Sequence, residues 1–221
     1  MNMEEVVKAA EELVHNVMGK WDSSHDPFHV YRVRNLALSL AAEEGLSPES
    51  CEIVELAALL HDIDDHKYAS RDKRVEPTAE EFLAQHRIEP IKKEAVMTII
   101  QSMGFKEELN ASSQWKYSPE LAVVQDADRL DAIGAIGIGR TFTFGGARNC
   151  PMFDPDVLPR TKMTKEEYVS TKTTTINHFH EKLLKLRDLM KSQAGRRRAD
   201  GRHKFMEDFL SQFESEWKGE L

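Results

Sequence analysis

One decapeptide restricts this chain more than any other: Ala57-Ala58-Leu59-Leu60-His61-Asp62-Ile63-Asp64-Asp65-His66. Four apolar residues of an expected helix run straight into a cluster of imidazoles and carboxylates. Burying charge at a helix end costs several kcal/mol per ion unless something compensates it. A divalent cation does so, because imidazole nitrogen and carboxylate oxygen are its natural ligands. An adjacent His-Asp pair does not complete a metal site, so other segments must bring further ligands.

Those other segments read as helices. Val6, Ala10, Leu13, Val14 and Val17 recur at helical spacing behind an Asn2 cap and the acidic first-turn residues Glu4 and Glu5. After a polar loop containing Pro27, a second helix carries Val30, Val33, Leu36, Ala37, Leu40 and Ala41 to a stop at Gly45. Ser47-Pro48-Glu49 restarts a helix with proline at its first position and leads Ile53, Leu56, Ala57 and Leu60 down to His61-Asp62. Residues 63–77 read as loop, 78–86 and 90–103 as short helices, and 105–118 as irregular polar chain. Ser118-Pro119-Glu120 opens a helix whose apolar residues surround the cylinder, which predicts a buried, central position. Its pattern continues through Gly134, Gly137 and Gly139. The Pro- and Gly-containing stretch 145–163 reads as a long ordered loop or lid. Thr164-Lys165-Glu166-Glu167 fits a capping box for a helix running to about Met190, and Ala199–Trp217 is amphipathic through Phe205, Phe209 and Phe213. No segment alternates as a strand does. The expectation is an all-α fold, a compact single-domain helical bundle spanning residues 1–221.

Composition narrows the function classes. A chain of 221 residues, 40% hydrophobic and 31% charged, can bury a substantial core and lacks a disorder signature. A net charge of -8 disfavours nucleic acid as the main partner but allows a local basic pocket for a phosphorylated small molecule. Arg196-Arg197-Arg198 is read accordingly as a solvated turn between helices. Cys51 and Cys150, the only cysteines, show no zinc-like spacing and suit a reducing compartment. No apolar run reaches the roughly 20 residues of a membrane helix, and the start Met-Asn-Met-Glu-Glu lacks the basic residues of a targeting peptide. A cytoplasmic location without membrane partners is expected, with a nuclear pool left open.

Three separated pieces place metal-competent side chains on otherwise apolar helices: His29, the His61-Asp62 pair, and the group Asp126, Asp128 and Asp131. Two histidines and two carboxylates leave a six-coordinate cation with positions for water and substrate, as hydrolytic metal chemistry needs. Helical spacing does not choose among the three aspartates: Asp128 shares a face with Leu121 and Ala132, and Asp126 with Ala122 and Ile133. Asp65 follows His61 at the i+4 spacing of one helix face. Phosphate recognition needs cations. Arg32 and Lys67 flank the predicted metal, Arg140 and Arg148 flank Gly145-Gly146, and His178 and Lys182 share a helix face.

Taken in order, His29 within His25-Asp26-Pro27-Phe28-His29-Val30-Tyr31-Arg32-Val33, then His61-Asp62, then an aspartate within Asp126–Ala132 resembles the H…HD…D signature of the HD-domain metal-dependent phosphohydrolases. Thr173–Leu186 is similar to a small, single-domain branch of that superfamily, and the likeness covers roughly residues 20–215. The resemblance implies one divalent ion per chain, Mn2+ in preference, with Mg2+, Co2+, Fe2+ and Ni2+ compatible. It implies His29, His61, Asp62 and Asp128 as ligands, the last because related proteins place it in a step like Ala127-Asp128-Arg129-Leu130. Asp65 stands where the family has acid/base residues. His25, Asp64 and Asp131 are read as supports of the ligands, and Arg32, Lys67, Arg140, Arg148, His178 and Lys182 as candidates to meet phosphate.

The implied substrate is a nucleotide or another small phosphorylated metabolite, with nucleoside triphosphate pyrophosphohydrolysis the leading reading. A nucleoside monophosphate phosphatase and a non-catalytic nucleotide-binding HD domain are the alternatives. The di-iron oxygenases among HD-fold relatives need extra histidines before the last aspartate. Only His66 and His86 stand there, without paired spacing, which disfavours that chemistry. A homodimer is compatible with the sequence.

Overall fold

The computed structural model describes residues 2–19, 21–64, 76–103, 118–160 and 173–221. The regular structure there is helical throughout, and no strand occurs among the described residues, in accord with the expected all-α class. These residues form two compact units. One comprises Met1–Trp21 and His25–Asp128, the other Asp22–Ser24 and Arg129–Leu221.

The first unit contains α1 (Met3–Met18), α2 (Pro27–Glu43), α3 (Pro48–Leu60), α4 (Ala79–Gln85), α5 (Pro90–Ser102) and α6 (Pro119–Asp131) as far as Asp128. Local chemistry sets most of the helix starts. Asn2 with Glu5 and Thr78 with Glu81 form reciprocal capping boxes, Ser47 accepts the Ser50 N–H, and Pro27, Pro48 and Pro90 occupy first positions that need no N–H donor. Helix α3 is the axis of the unit, packing on α1, α2 and α5. Leu56, Ala57, Ala58, Leu59 and Leu60 are fully buried, and each leucine contributes about 1.5–3 kcal/mol by burial. The helix ends at His61, so core packing delivers that imidazole to its place.

Helices α2 and α4 end in the same hydrogen-bonded motif with different residues at its left-handed position. After α2, Gly45 N–H reaches Ala42 O and Leu46 N–H reaches Ala41 O, with Gly45 at φ 73. After α4, Arg87 N–H reaches Ala84 O and Ile88 N–H reaches Leu83 O, with Arg87 at φ 53. A side chain in that conformation costs about 1–2 kcal/mol, whereas glycine fits it freely. Arg87→Gly should therefore stabilise the first unit by about 1 kcal/mol, measured as a higher urea midpoint at unchanged m-value. A lower midpoint would show that the exposed arginine contributes more than its backbone costs.

The second unit holds α7 (Gly134–Ala147), α8 (Thr175–Glu181), a 3-10 helix (Leu183–Leu189) and α9 (Gln193–Lys218). Helix α9 packs on α7 and on the 3-10 helix, and α8 packs on the same two elements. Phe142, Phe179 and Phe209 meet at ring-centroid distances of 5.9–6.3 Å. Three boundaries differ from the sequence expectation. The helix expected to continue past Ala132 breaks: Ile133 is extended, and Gly134 has φ 74 where a Cβ would lie 2.9 Å from the Arg202 side chain. The helix expected to reach Met190 is capped by Thr174 and tightens into the 3-10 turn after Lys182, whose φ of -136 and ψ of -57 leave the helical region; its proposed start over 164–172 lies outside the described residues. Helix α9 begins at Gln193 rather than Ala199 because Ser192 caps it by accepting the Gly195 N–H. Arg196-Arg197-Arg198 consequently lies within α9 instead of forming a turn.

The described part of the 145–163 stretch is held against α8. Pro151 O and Met152 O accept the N–H groups of Thr175 and Ile176 at 2.9 and 3.0 Å, and the Asn177 amide donates to Val157 O at 2.7 Å. No helix among the described residues is long and apolar enough to cross a membrane.

Candidate metal centre

Two helix ends and one helix interior of the first unit bring the acidic and imidazole groups together. His29 is the third residue of α2, and its backbone N–H donates to the capping carboxylate of Asp26 at 3.1 Å. Its side chain is 1% exposed. His61 follows the last turn of α3, where a helix leaves its carbonyls unpaired. Its Nδ1 lies 2.8 Å from Ala58 O, which accepts the Nδ1 proton. That bond leaves Nε2 with a bare lone pair. Nε2 is buried and has no hydrogen-bond partner among the described residues.

The lone pair faces the other candidate ligands. Asp62 Oδ2 stands 3.4 Å from both His29 Nε2 and His61 Nε2, and Asp128 Oδ1 stands 3.5 and 3.9 Å from the same two atoms. His29, His61 and Asp128 each offer a ligand atom within 4.8 Å of the others. Donors bound to one ion at about 2.0–2.2 Å stand about 3 to 3.5 Å from each other, so these separations fit a shared cation better than direct hydrogen bonds. Burial pushes the Asp62 carboxyl up, but the His61 charge, the His29 hydrogen bond and charge, and His25 outweigh it and hold the group well below the usual carboxylate range. Asp62 is thus ionised, and an ion bound in place of the imidazole protons would meet both the nitrogen lone pairs and this carboxylate. An orphaned buried nitrogen surrounded by hard and borderline donors is the arrangement a divalent metal fits.

Of the three competing aspartates, Asp128 is the one against the imidazoles. Asp126 is fully buried with interactions of its own, and Asp131 accepts from Arg140 Nη1 at 3.0 Å within the second unit. His25 lies beside His29, with ring centroids 6.3 Å apart, and His29 and His61 are 5.5 Å apart. Arg32 sits one turn beyond His29 on α2 and is half-buried. Asp64 accepts the Ala79 N–H at 3.0 Å. Asp65 and Lys67, read from sequence as acid/base and phosphate-binding residues, lie outside the described residues.

The remaining cationic candidates belong to the second unit. Arg140 Nε donates to Ser24 O at 2.8 Å while its Nη1 pairs with Asp131, so it staples chain segments of that unit. Arg148 is exposed and lies over the Phe144 ring at 5.1 Å. His178 and Lys182 share one end of α8. Burial, then the Lys182 charge, push the His178 imidazole down to about 4, with Arg160 in the same sense and Glu181 opposing. His178 should accordingly stay neutral: its ring carbons should not titrate in NMR spectra between about pH 7.5 and 5.5, a range in which a free imidazole changes charge. A midpoint near 6.5 for that ring would contradict its packing.

Sequence reasoning missed two groups. Ala58 O selects the His61 tautomer, a signal available in the i-3 carbonyl at a helix end. Glu181 pairs with Arg160 at 2.7 Å and also accepts from the Thr173 hydroxyl and the Arg160 backbone N–H, each at 2.9 Å. Nothing local in the sequence announces that contact.

Comparison with known proteins identifies the family. Residues 28–133 match the family model described as HD domain. A Lactobacillus plantarum protein of known structure is 35% identical, with a TM-score of 0.83 over 99% of this chain and 100% of that one. An HD-superfamily hydrolase from Bacillus thuringiensis is 36% identical, with a TM-score of 0.71 over 98% and 99%. Bacillus subtilis YpgQ is 32% identical over 216 residues, 96% of each chain. Its crystal structure in complex with ADP superposes with a TM-score of 0.74, covering 98% of this chain and 97% of that one.

Proposed function

This chain belongs to the HD domain family, and from that premise we propose that it is a divalent-metal-dependent phosphohydrolase acting on nucleotides, with nucleoside triphosphates cleaved to release pyrophosphate. The observation that carries the metal-dependent part is the buried His61 Nε2, without a hydrogen-bond partner among the described residues, facing His29, Asp62 and Asp128. The nucleotide part is supported by likeness to YpgQ, whose structure was obtained with ADP.

The proposed ligands are His29, His61, Asp62 and Asp128, and the mixed nitrogen and oxygen set favours Mn2+ while admitting Mg2+, Co2+, Fe2+ or Ni2+. The chemistry a divalent ion supplies in such a site is Lewis-acid: it acidifies water and neutralises charge developing on a phosphoryl oxygen. The protein's own groups do the rest. Ala58 O holds His61 in the tautomer with Nε2 bare, and Asp26 fixes the backbone that carries His29. Asp65 is assigned general acid/base work, at the attacking water or the leaving oxygen. Arg32 and Lys67 are the candidates to meet phosphate oxygens.

The test strips the protein with chelator and reloads it separately with Mn2+, Mg2+, Co2+ and Fe2+. Each form is offered nucleoside mono-, di- and triphosphates and small phosphometabolites, with orthophosphate and pyrophosphate assayed separately. Metal-dependent pyrophosphate release is the expected result. Orthophosphate alone would make the protein a phosphatase. Saturable nucleotide binding without turnover under every metal would make it a non-catalytic nucleotide-binding domain.

A further inference from the structure

The turn that carries His61 and Asp62 is tied to a distant helix. Asp64 Oδ2 accepts the backbone N–H of Ala79 at 3.0 Å, fifteen residues further along the chain. Ala79 is the first residue of α4 and is fully buried. The local capping box of α4 serves other groups: Thr78 Oγ1 takes the Glu81 N–H, and Glu81 Oε2 takes the Thr78 N–H. The first helical N–H has no partner inside its own helix, and burial keeps water from it. Asp64 supplies the missing acceptor, with its negative charge at the positive end of the helix dipole.

The consequence reaches the ligands through packing. Helix α4 packs on α5, α5 packs on α3, and α3 ends at His61. The Asp64–Ala79 bond closes that sequence into a ring, so the ligand turn is held at both of its ends. Ile63, fully buried, anchors the turn inward. The Asp64 bond fixes how the turn is rotated about that anchor. A metal site needs its donors within about 0.5 Å of their bound positions, and a turn tethered only through α3 has a free rotation that Asp62 would share.

We infer that Asp64 is a positioning residue: by bonding the first N–H of α4 it orients the His61–Asp62 turn and raises divalent-metal affinity without itself touching metal or substrate. This rests on the metal-binding part of the reading above. The pair can be broken from either side. Asp64→Ala removes the acceptor. Ala79→Pro removes the donor at a first helical position, where proline's φ is suited and the preceding Thr78 is already extended at φ -69, ψ 166. Asp64→Asn keeps an acceptor oxygen.

Calorimetric titration of the chelator-stripped full chain with Mn2+ reads the outcome. Asp64→Ala and Ala79→Pro should each weaken Mn2+ binding about 10–100-fold. The double variant should be no weaker than either single one, and Asp64→Asn should recover most of the affinity at an unchanged metal-free unfolding midpoint. Wild-type affinity in Asp64→Ala would overturn the inference. So would wild-type affinity in Ala79→Pro beside a loss in Asp64→Ala, because Asp64 would then act through another contact. A wild-type protein that binds no Mn2+ would overturn the metal reading itself, and this inference with it.

Discussion

His61→Ala should remove Mn2+ binding at concentrations that saturate the wild type and lower metal-dependent turnover by about three orders of magnitude, since Lewis-acid assistance is worth several kcal/mol and about 4 kcal/mol corresponds to a thousandfold. The argument is specific to this side chain. Ala58 O occupies Nδ1, so Nε2 is the only nitrogen left to bind, and Nε2 has no other partner among the described residues. Asp62 and Asp128 each lie within 4 Å of that nitrogen, so its loss takes a donor from the middle of the set. Thermal unfolding with and without Mn2+ provides a readout independent of turnover. Metal at about a hundred times Kd stabilises a folded site by about 2.7 kcal/mol, and the variant should lose that increment. His86, whose ring is tilted against that of Phe82 with centroids 4.3 Å apart just after α4, serves as a histidine control. His86→Ala should leave metal binding and turnover intact. Wild-type metal affinity in His61→Ala would sink the proposed centre.

The parts of the structure legible in the sequence are those governed by local chemistry. Asn2 and Ser47 announce helix starts through side-chain oxygens that bond N–H groups a few residues away, and the structure has both. Gly45 marks the end of α2 because the turn there needs a positive φ. Arg87 occupies the same kind of position after α4, and a chain that puts arginine in a left-handed turn gives no such mark. The break between α6 and α7 was hidden for a different reason. The apolar pattern runs through Ala132, Ile133 and Gly134 without interruption, and the packing of Arg202 over Gly134 is a contact that no sequence window spans. The ligand motif could be read because the residues that bind metals are few. Spacing alone leaves Asp126 and Asp128 open; the resemblance favours Asp128, and the rotation of α6 puts that carboxylate beside the imidazoles. The cationic residues were the least legible. Arg140 looks the same in sequence whether it meets a phosphate or, as here, Ser24 O and Asp131.

Glu181→Ala should be strongly damaging in the second unit, lowering its stability by about 3–5 kcal/mol, the cost of removing one partner of a buried ion pair. The Glu181 side chain is fully buried and that of Arg160 is 7% exposed. Removing the carboxylate takes one shared acceptor from the guanidinium, the Arg160 N–H and the Thr173 hydroxyl together. Glu181→Leu combined with Arg160→Met should recover much of the loss, because it removes both charges at once. Equal damage in the single and double variants would show that shape, not charge pairing, governs the contact. Acidification probes the same contact without mutation. Burial raises the Glu181 carboxyl, but hydrogen bonds from Arg160 and Thr173 and the Arg160 charge outweigh it and hold the group below its ordinary value. Its contribution is therefore complete above the unfolded carboxyl's pKa and is lost as pH falls through the lower folded one. His178 acts in an earlier window. Its folded value of about 4 lies below the 6.5 of a free imidazole, so the unfolded chain takes up a proton first and stability falls as pH drops from 6.5 towards 4. Urea titrations should show two successive losses in the wild type. Glu181→Gln should shrink the lower one and keep the upper, whose lower limit moves further down because Glu181 is the neighbour that raises His178. A single loss shared by both proteins would contradict the assignment of the lower window to Glu181.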